Sequence, residues 1–351
     1  MPATIKDVAR VAGVSVATVS RVLNGFSNVL PATRRHVEEA ARQLGFAPSA
    51  AARSLITRRT DTIGALLPDL HGEYFSELIR GMDQAARSHG LHLLVSSAHG
   101  HAQQAAAAFG AMRGRVDGVL VMSPQVSEGG SVVDALGSMA CGLPTVLVNT
   151  PDASRRLPSF VVDNLGGARA MVEHLLATGR QHLVFVGGPR HNHEATERRR
   201  GCLEALAAAG APKPWELEGD FTEAAGQAAG RRIAERLRAA RPKLPRPQAV
   251  FAANDMTAVG VLAALTAAGL RVPEDIALGG FDDVPIARYL SPALTTIRVP
   301  IVELGTAATH ALVQRIENGP QQEAASPPGA FTPSVLPVEL LHRRSTALPA
   351  G

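Results

Sequence analysis

Residues 4–24 read TIKDVARVAGVSVATVSRVLN, and this stretch constrains its own fold more tightly than any other in the chain. Ile5, Val8, Ala9 and Ala12 recur at helical spacing on one face. Gly13 ends that pattern, and Ser15 offers a side-chain oxygen that can cap a second helix. On the second helix Val16, Val19, Val22 and Leu23 form an apolar stripe; Val19, Val22 and Leu23 read as its inward members, with Val16, Ala17, Ser20 and Arg21 facing outward. Two helices joined through a glycine turn make a helix-turn-helix, the motif whose second helix lies in the major groove of DNA. Arg21 is long enough to reach a guanine edge or a phosphate, and Val16 and Ala17 offer apolar contact to a thymine methyl. Thr18, Ser20 and Asn24 carry groups that bind phosphate.

Charge agrees with that pattern. Residues 1–60 hold nine Lys/Arg against three Asp/Glu, a net of +6, whereas the whole chain is +4, so the remainder is −2. A basic head on a nearly neutral body fits a head that meets phosphate backbone. An ordinary three-helix bundle would show the same stripes, but not the coincidence of stripes, position and charge.

The rest of the chain is bounded by its composition. Its 351 residues suggest two or three domains, and 46% apolar residues are enough for a full core. No apolar run reaches the length of a membrane span, and the N-terminus is a polar helix pattern rather than a signal peptide. Cys141 and Cys202 make neither a disulfide framework nor a zinc site. A cytoplasmic location is expected.

Three parts follow in order. Residues 1–46 read as all-helical, with a third helix over 31–44 ended by Gly45. Residues 47–60 hold a short helical segment, SAAARSL, and an exposed linker. Residues 61–351 alternate strands and helices. Strands are predicted over 63–67, 91–96, 118–122, 145–149, 160–162, 183–187, 249–253 and 276–280. Helices are predicted over 77–88, 103–112, 166–177, 197–209, 223–239, 256–268 and 301–317. The strands are short apolar runs without clean alternation, as parallel strands covered on both faces are. The body is therefore a doubly wound α/β structure, in which ligands bind beyond the carboxyl ends of the strands. The stretch over 322–337 reads as its one flexible loop.

At this level of detail the chain resembles the lactose-repressor (LacI/GalR) family over essentially its full length. The head is closest to that of the galactose repressor, including the Val16–Ala17 pair at the base-reading positions. PSAAARSL resembles the family's hinge helix, and GFDDVPIARYLSPALTTIRVP its late signature. The resemblance implies a body like periplasmic sugar-binding proteins, made of two subdomains: about 61–162 with 293–322, and about 163–292 with 323–343. It adds Thr4 to the DNA-contacting set. In relatives of this type the hinge is disordered off DNA and folds on the operator, where paired hinge helices push a leucine into the minor groove. Here that residue is Leu55, with Ala52 and Arg53 beside it. An apolar wedge of this kind kinks DNA, and the unstacking cost is offset by added contacts.

The resemblance also implies an effector cleft between the subdomains. Tyr74 and Phe75 fall at the first strand–helix junction, and Asp163 and Asn164 begin the crossover into the second subdomain. Arg198 matches the family arginine, Phe221 an aromatic wall position, and Asn254 and Asp282 the ends of later strands. Purine-binding members carry an aromatic near position 149 and a basic residue near 192. Asn149 and Asn192 stand there in this chain, which departs from a purine toward a sugar. Amides, carboxylates and one arginine with aromatic walls suit a polyhydroxylated ligand. Helix capping is the competing role for each acidic or amide residue at a strand end.

Catalytic signals are missing: no phosphate-binding Gly-Lys-Ser/Thr loop, no nucleophile elbow, no HExxH helix. His191, His193 and Glu194 are too loosely spaced for a metal cluster, and no metal or cofactor is expected. The expectation is a homodimeric repressor that binds double-stranded, pseudo-palindromic operator DNA and is released by a small carbohydrate. The alternatives are a corepressor mechanism, in which ligand strengthens DNA binding, and a sugar-binding protein with no regulatory role.

Overall fold

A computed structural model describes residues 3–23, 26, 28–46, 59–98, 102–123, 143–150, 156–239, 245–319 and 329–347. The chain divides into two compact units, Met1–Thr62 with Gly114–Asp117, and Ile63–Arg113 with Gly118–Gly351.

The first unit contains three helices, α1 (Ile5–Val11), α2 (Val16–Leu23) and α3 (Pro31–Gln43). Thr4 and Asp7 form a capping box at the start of α1. Gly13 turns the chain at φ +62°, a left-handed conformation that costs glycine nothing. Ser15 Oγ then accepts from the Thr18 amide at 3.1 Å and caps α2. Val8, Val19 and Val37, one from each helix, are fully buried at the centre, with Ala9, Ala12, Val22, Ala40 and Ala41 around them. Arg34 of α3 donates to the carbonyls of Val22, at 3.3 Å, and Phe26, at 2.6 Å, tying α3 to the end of α2.

The larger unit is built on two parallel sheets. The first runs through β1 (Thr62–Leu67), β2 (His92–Ser97), β3 (Gly118–Val121), β4 (Thr145–Val148) and β5 (Ser159–Val162). The second holds β6 (Leu183–Val186), β7 (Trp215–Leu217), β8 (Ala249–Ala252) and β9 (Ala277–Gly279) in the order β7-β6-β8-β9. Every residue of β3, β4, β6 and β8 is buried, which explains why their sequences lack alternation. Helices α4 (Glu73–Ser88) and α10 (Ile301–Asn318) pack together beside the first sheet. With the second go two packed pairs, α6 (Asn164–Ala177) with α7 (His193–Ala208), and α8 (Glu223–Arg238) with α9 (Asp255–Ala267). One further helix, α5 (Ala102–Met112), follows β2.

The last part of the chain departs from expectation. Ser334–Leu336, predicted as loop and assigned to the second subdomain, is β11, an edge strand of the first sheet paired in parallel with β5. Prolines 333 and 337 flank it, which only an edge position tolerates. The chain then forms β12 (Glu339–Leu341), antiparallel to β10 (Thr296–Arg298), and a short 3-10 turn, Arg344–Thr346. That turn is tied to β9 through Ser345 Oγ, which donates to the Leu278 carbonyl at 2.5 Å. Three-residue strands carry too little pattern to read alone; each forms here because a neighbour supplies its hydrogen bonds. Two helices also start a turn earlier than predicted, α4 at 73 rather than 77 and α7 at 193 rather than 197. Among the described residues no helix is long and apolar enough to cross a membrane.

Candidate functional site

The outward face of α2 is the first candidate surface. Val16 is 41% exposed, and Ala17 and Arg21 are also exposed, while Val19 and Val22 are buried beneath them. An exposed valine on a helix that already buries two others is a side chain the core does not need. Thr18 and Ser20 are half-buried, and the Thr18 hydroxyl lies 2.9 Å from Ser15 Oγ. Thr4 is occupied by its box: its amide donates to Asp7 Oδ2 at 3.0 Å and its hydroxyl to the same oxygen at 2.7 Å. Those bonds, with Arg10 at 2.9 Å, hold the Asp7 carboxyl down at about 2. Asn24, Ala52, Arg53 and Leu55 lie outside the described residues.

The second candidate is a cavity of about 620 Å³ in the larger unit. It opens where the carboxyl ends of both sheets meet. Pro68 and Asp69 follow β1, Met122 follows β3, Pro189 follows β6, Asn254 follows β8 and Asp282 follows β9. This is the position that parallel α/β sheets reserve for ligands, because helix N-termini and loop side chains converge there.

Arg198, on α7, is the centre of the cavity wall, and 2% of it is exposed. Its Nε donates to Asn164 Oδ1 at 2.8 Å and its Nη1 to the Ala253 carbonyl at 2.7 Å. Its Nη2 lies 3.0 Å from Asp282 Oδ1 and 3.8 Å from Glu194 Oε1. The guanidinium stacks over Phe281, 3.8 Å from the ring centroid, and lies 5.7 Å from that of Phe221. Glu194 in turn accepts from Asn149 Nδ2 at 3.0 Å, and the same amide donates to the Tyr74 hydroxyl at 2.7 Å. One polar network thus joins the first strand–helix junction, the end of β4, the start of α7 and the end of β9.

Burial sets the protonation of this network. The Glu194 carboxyl is pushed up to about 7 by desolvation, with Asp282 adding to the rise and Arg198 opposing it. Asp282 is raised to about 6, again by burial and against Arg198. Tyr74 rises for the same reason, with Glu194 and Asp282 contributing. Behind them Asp255, fully buried, accepts from Thr296 Oγ1 at 2.6 Å and the Val284 amide at 3.0 Å, and burial raises its carboxyl too.

Backbone conformation marks the same place. Asn149 at φ +43°, Phe221 at +71° and Asp282 at +112° are non-glycine residues held in the left-handed region. Such strain persists only where the surroundings fix it, and it concentrates at ligand sites. Phe221 is seated on Gly188, where an added Cβ would fall 2.5 Å from the ring.

Seven of the nine cleft residues expected from sequence line the cavity: Tyr74, Phe75, Asn192, Arg198, Phe221, Asn254 and Asp282. Two do not. Asp163 caps α6, accepting from the Gly166 amide at 2.8 Å, and it is Asn164, next to it, that holds Arg198. Asn149 lies behind the wall and braces Tyr74 and Glu194. Asn192 and Asn254 line the cavity and also cap helices, accepting from the Ala195 and Thr257 amides at 2.9 Å each. Glu194 was passed over as a loose metal-like cluster. Among the described residues no such cluster forms. Its signal was present: Asn192 is a helix-capping residue, and starting α7 directly after it places Glu194 and Arg198 four apart on one face.

Similarity to known proteins agrees with this layout. Residues 4–49 match the bacterial regulatory proteins of the lacI family, and residues 172–346 a periplasmic binding protein-like domain. The HTH-type transcriptional regulator CelR of Thermobifida fusca is 34% identical over 328 residues, spanning 89% of this chain and 92% of the relative. The chain belongs to the lacI family. It is accordingly a DNA-binding transcriptional regulator, with a helix-turn-helix head and a periplasmic-binding-protein-like body. Among solved family members, the lac repressor dimer bound to operator and the anti-inducer ONPF superimposes with a TM-score of 0.84 at 28% identity, covering 99% of both chains. A CelR–cellobiose complex superimposes at 0.69, with 30% identity, 98% of this chain and 99% of that one.

Proposed function

We propose that this family member is a homodimeric repressor, working in the cytoplasm, that leaves a pseudo-palindromic operator when a small carbohydrate fills the cleft. The carrying observation is the cavity wall itself. Amides, carboxylates and one anchored arginine face it alongside Tyr74, Phe75 and Phe221, and that mixture matches a ligand with many hydroxyls and an apolar ring face. Related proteins with cellobiose or ribose bound support the same chemistry. Val16, Ala17 and Arg21 read bases in this proposal, with Thr4, Thr18, Ser20 and Asn24 on phosphates and Ala52, Arg53 and Leu55 in the hinge. Arg198 and Asp282 hold ligand hydroxyls, Asn192 and Asn254 border them, Phe221 stacks on the ring, and Asn149 positions Tyr74. The cleft regulates and does not turn its ligand over. Two heads on a symmetric dimer fit two half-sites, and the coupling between cleft and head is reciprocal.

A gel shift on operator DNA, with and without cellobiose, ribose and related sugars, tests this. Weaker DNA binding with sugar is expected. Tighter binding would reverse the sign to corepression, no DNA binding by the full chain would reduce it to a sugar binder, and turnover of a bound sugar would make it an enzyme.

A further inference from the structure

The cleft is also written in charge. Six acidic side chains line it, Asp69, Glu73, Glu194, Asp220, Glu223 and Asp282, of which Glu194 keeps part of its proton near neutral pH. Arg198 and His71 are the cationic and titratable basic residues on the same wall. Arg198 is already engaged, with Asn164, the Ala253 carbonyl, Asp282 and Glu194 around its nitrogens, so its charge is met from within the protein. An anion entering would find a guanidinium whose charge two carboxylates already share. Asp282, 4% exposed, lines the cavity with its Oδ1 3.0 Å from Arg198 Nη2.

Resting on the carbohydrate reading above, we infer that the cleft sorts polyols by charge: it accepts neutral and amine-bearing ones and turns away those carrying phosphate or carboxylate. Low-dielectric walls lined by one sign of charge concentrate counter-ions about ten- to a thousandfold and deplete co-ions in the same way. An ammonium group gains from Asp282 and the acidic rim. A phosphate meets like charge and also loses its hydration.

The first test needs no knowledge of the natural ligand. Met122 and Met256 line the cleft, so their labelled methyl signals report on what enters. Cationic amino-TEMPO should broaden both signals several-fold more than anionic carboxy-PROXYL at equal concentration. Equal broadening, or more from the anion, would overturn the inference. The second test is calorimetry with glucose and cellobiose as parents and their amino and 6-phosphate derivatives. Where a parent binds, its amino form should bind as well or up to about tenfold tighter, and its phosphate at least about tenfold more weakly. A phosphate as tight as its parent would sink the charge rule. Preferential cation entry with no sugar bound at all would uphold the charge rule while removing the carbohydrate reading.

Discussion

Two arginines show how differently the two units of this protein use the same side chain. Arg21 stands exposed on a helix whose inner face is satisfied by Val19 and Val22, and the fold does not require it. Arg198 is 2% exposed, spans Asn164, Ala253, Asp282 and Glu194, and holds a wall together. In the proposed function, recognition on the head is presented on a stable framework, and recognition in the cleft is part of the framework. Changing a head residue should alter binding and spare stability, whereas changing a cleft residue should alter both.

The largest expected effect tests the cleft half. Arg198→Ala removes the partner of two buried carboxylates, and breaking a buried ion pair in this way costs about 3–5 kcal/mol. Urea unfolding of the larger unit should register it. A loss under about 1 kcal/mol, the value of a surface pair, would show that Arg198 is no more structural than Arg21. The contrasting change is Arg21→Ala. It should lower specific operator affinity by roughly 1–3 kcal/mol while leaving the thermal midpoint of the head unchanged. If base preference stays the same at every operator position, Arg21 reads no base.

The cleft half can also be tested through pH. Glu194 and Asp282 have raised values in the folded protein, so the folded state keeps protons that the unfolded chain has released. The stability they contribute is full below their ordinary values of 4.5 and 3.8, and it is lost as pH rises through about 7 and about 6 respectively. Wild type should thus lose stability as pH rises from about 4 to about 7, and Glu194→Gln should flatten that slope. Identical slopes in the two proteins would place the titration elsewhere. The cost of Arg198→Ala should also be greater at pH 8 than at pH 5, because the carboxylates it leaves behind can neutralise themselves only at the lower pH.

How much of this was legible in the sequence follows a similar divide. The head was read nearly whole. Helices of this length keep their apolar spacing and caps local, so Val19 and Val22 inside, with Ala17 outside, followed from periodicity, while Val16 fitted the apolar stripe as well as the outer face. The long elements of the body were also visible, since buried parallel strands such as β6 and β8 announce themselves as apolar runs. The cleft was read by resemblance: Asp163 was singled out there, and the neighbouring Asn164 is the residue that holds the arginine. Starting α7 a turn late hid the pairing of Glu194 with Arg198. The short strands β7, β10, β11 and β12 were missed because three residues carry no usable period.

Sequence alone thus determined the class of molecule: a basic helix-turn-helix head on a doubly wound α/β body, with the inner and outer faces of the second helix told apart. That information is local, written in spacings of three and four residues. Only the tertiary structure decided the cleft, since Tyr74, Asn149, Glu194 with Arg198, and Asp282 come from four separate elements and meet through side chains. It also decided their protonation. A carboxylate's charge depends on how much water is left around it, and no spacing along the chain records that.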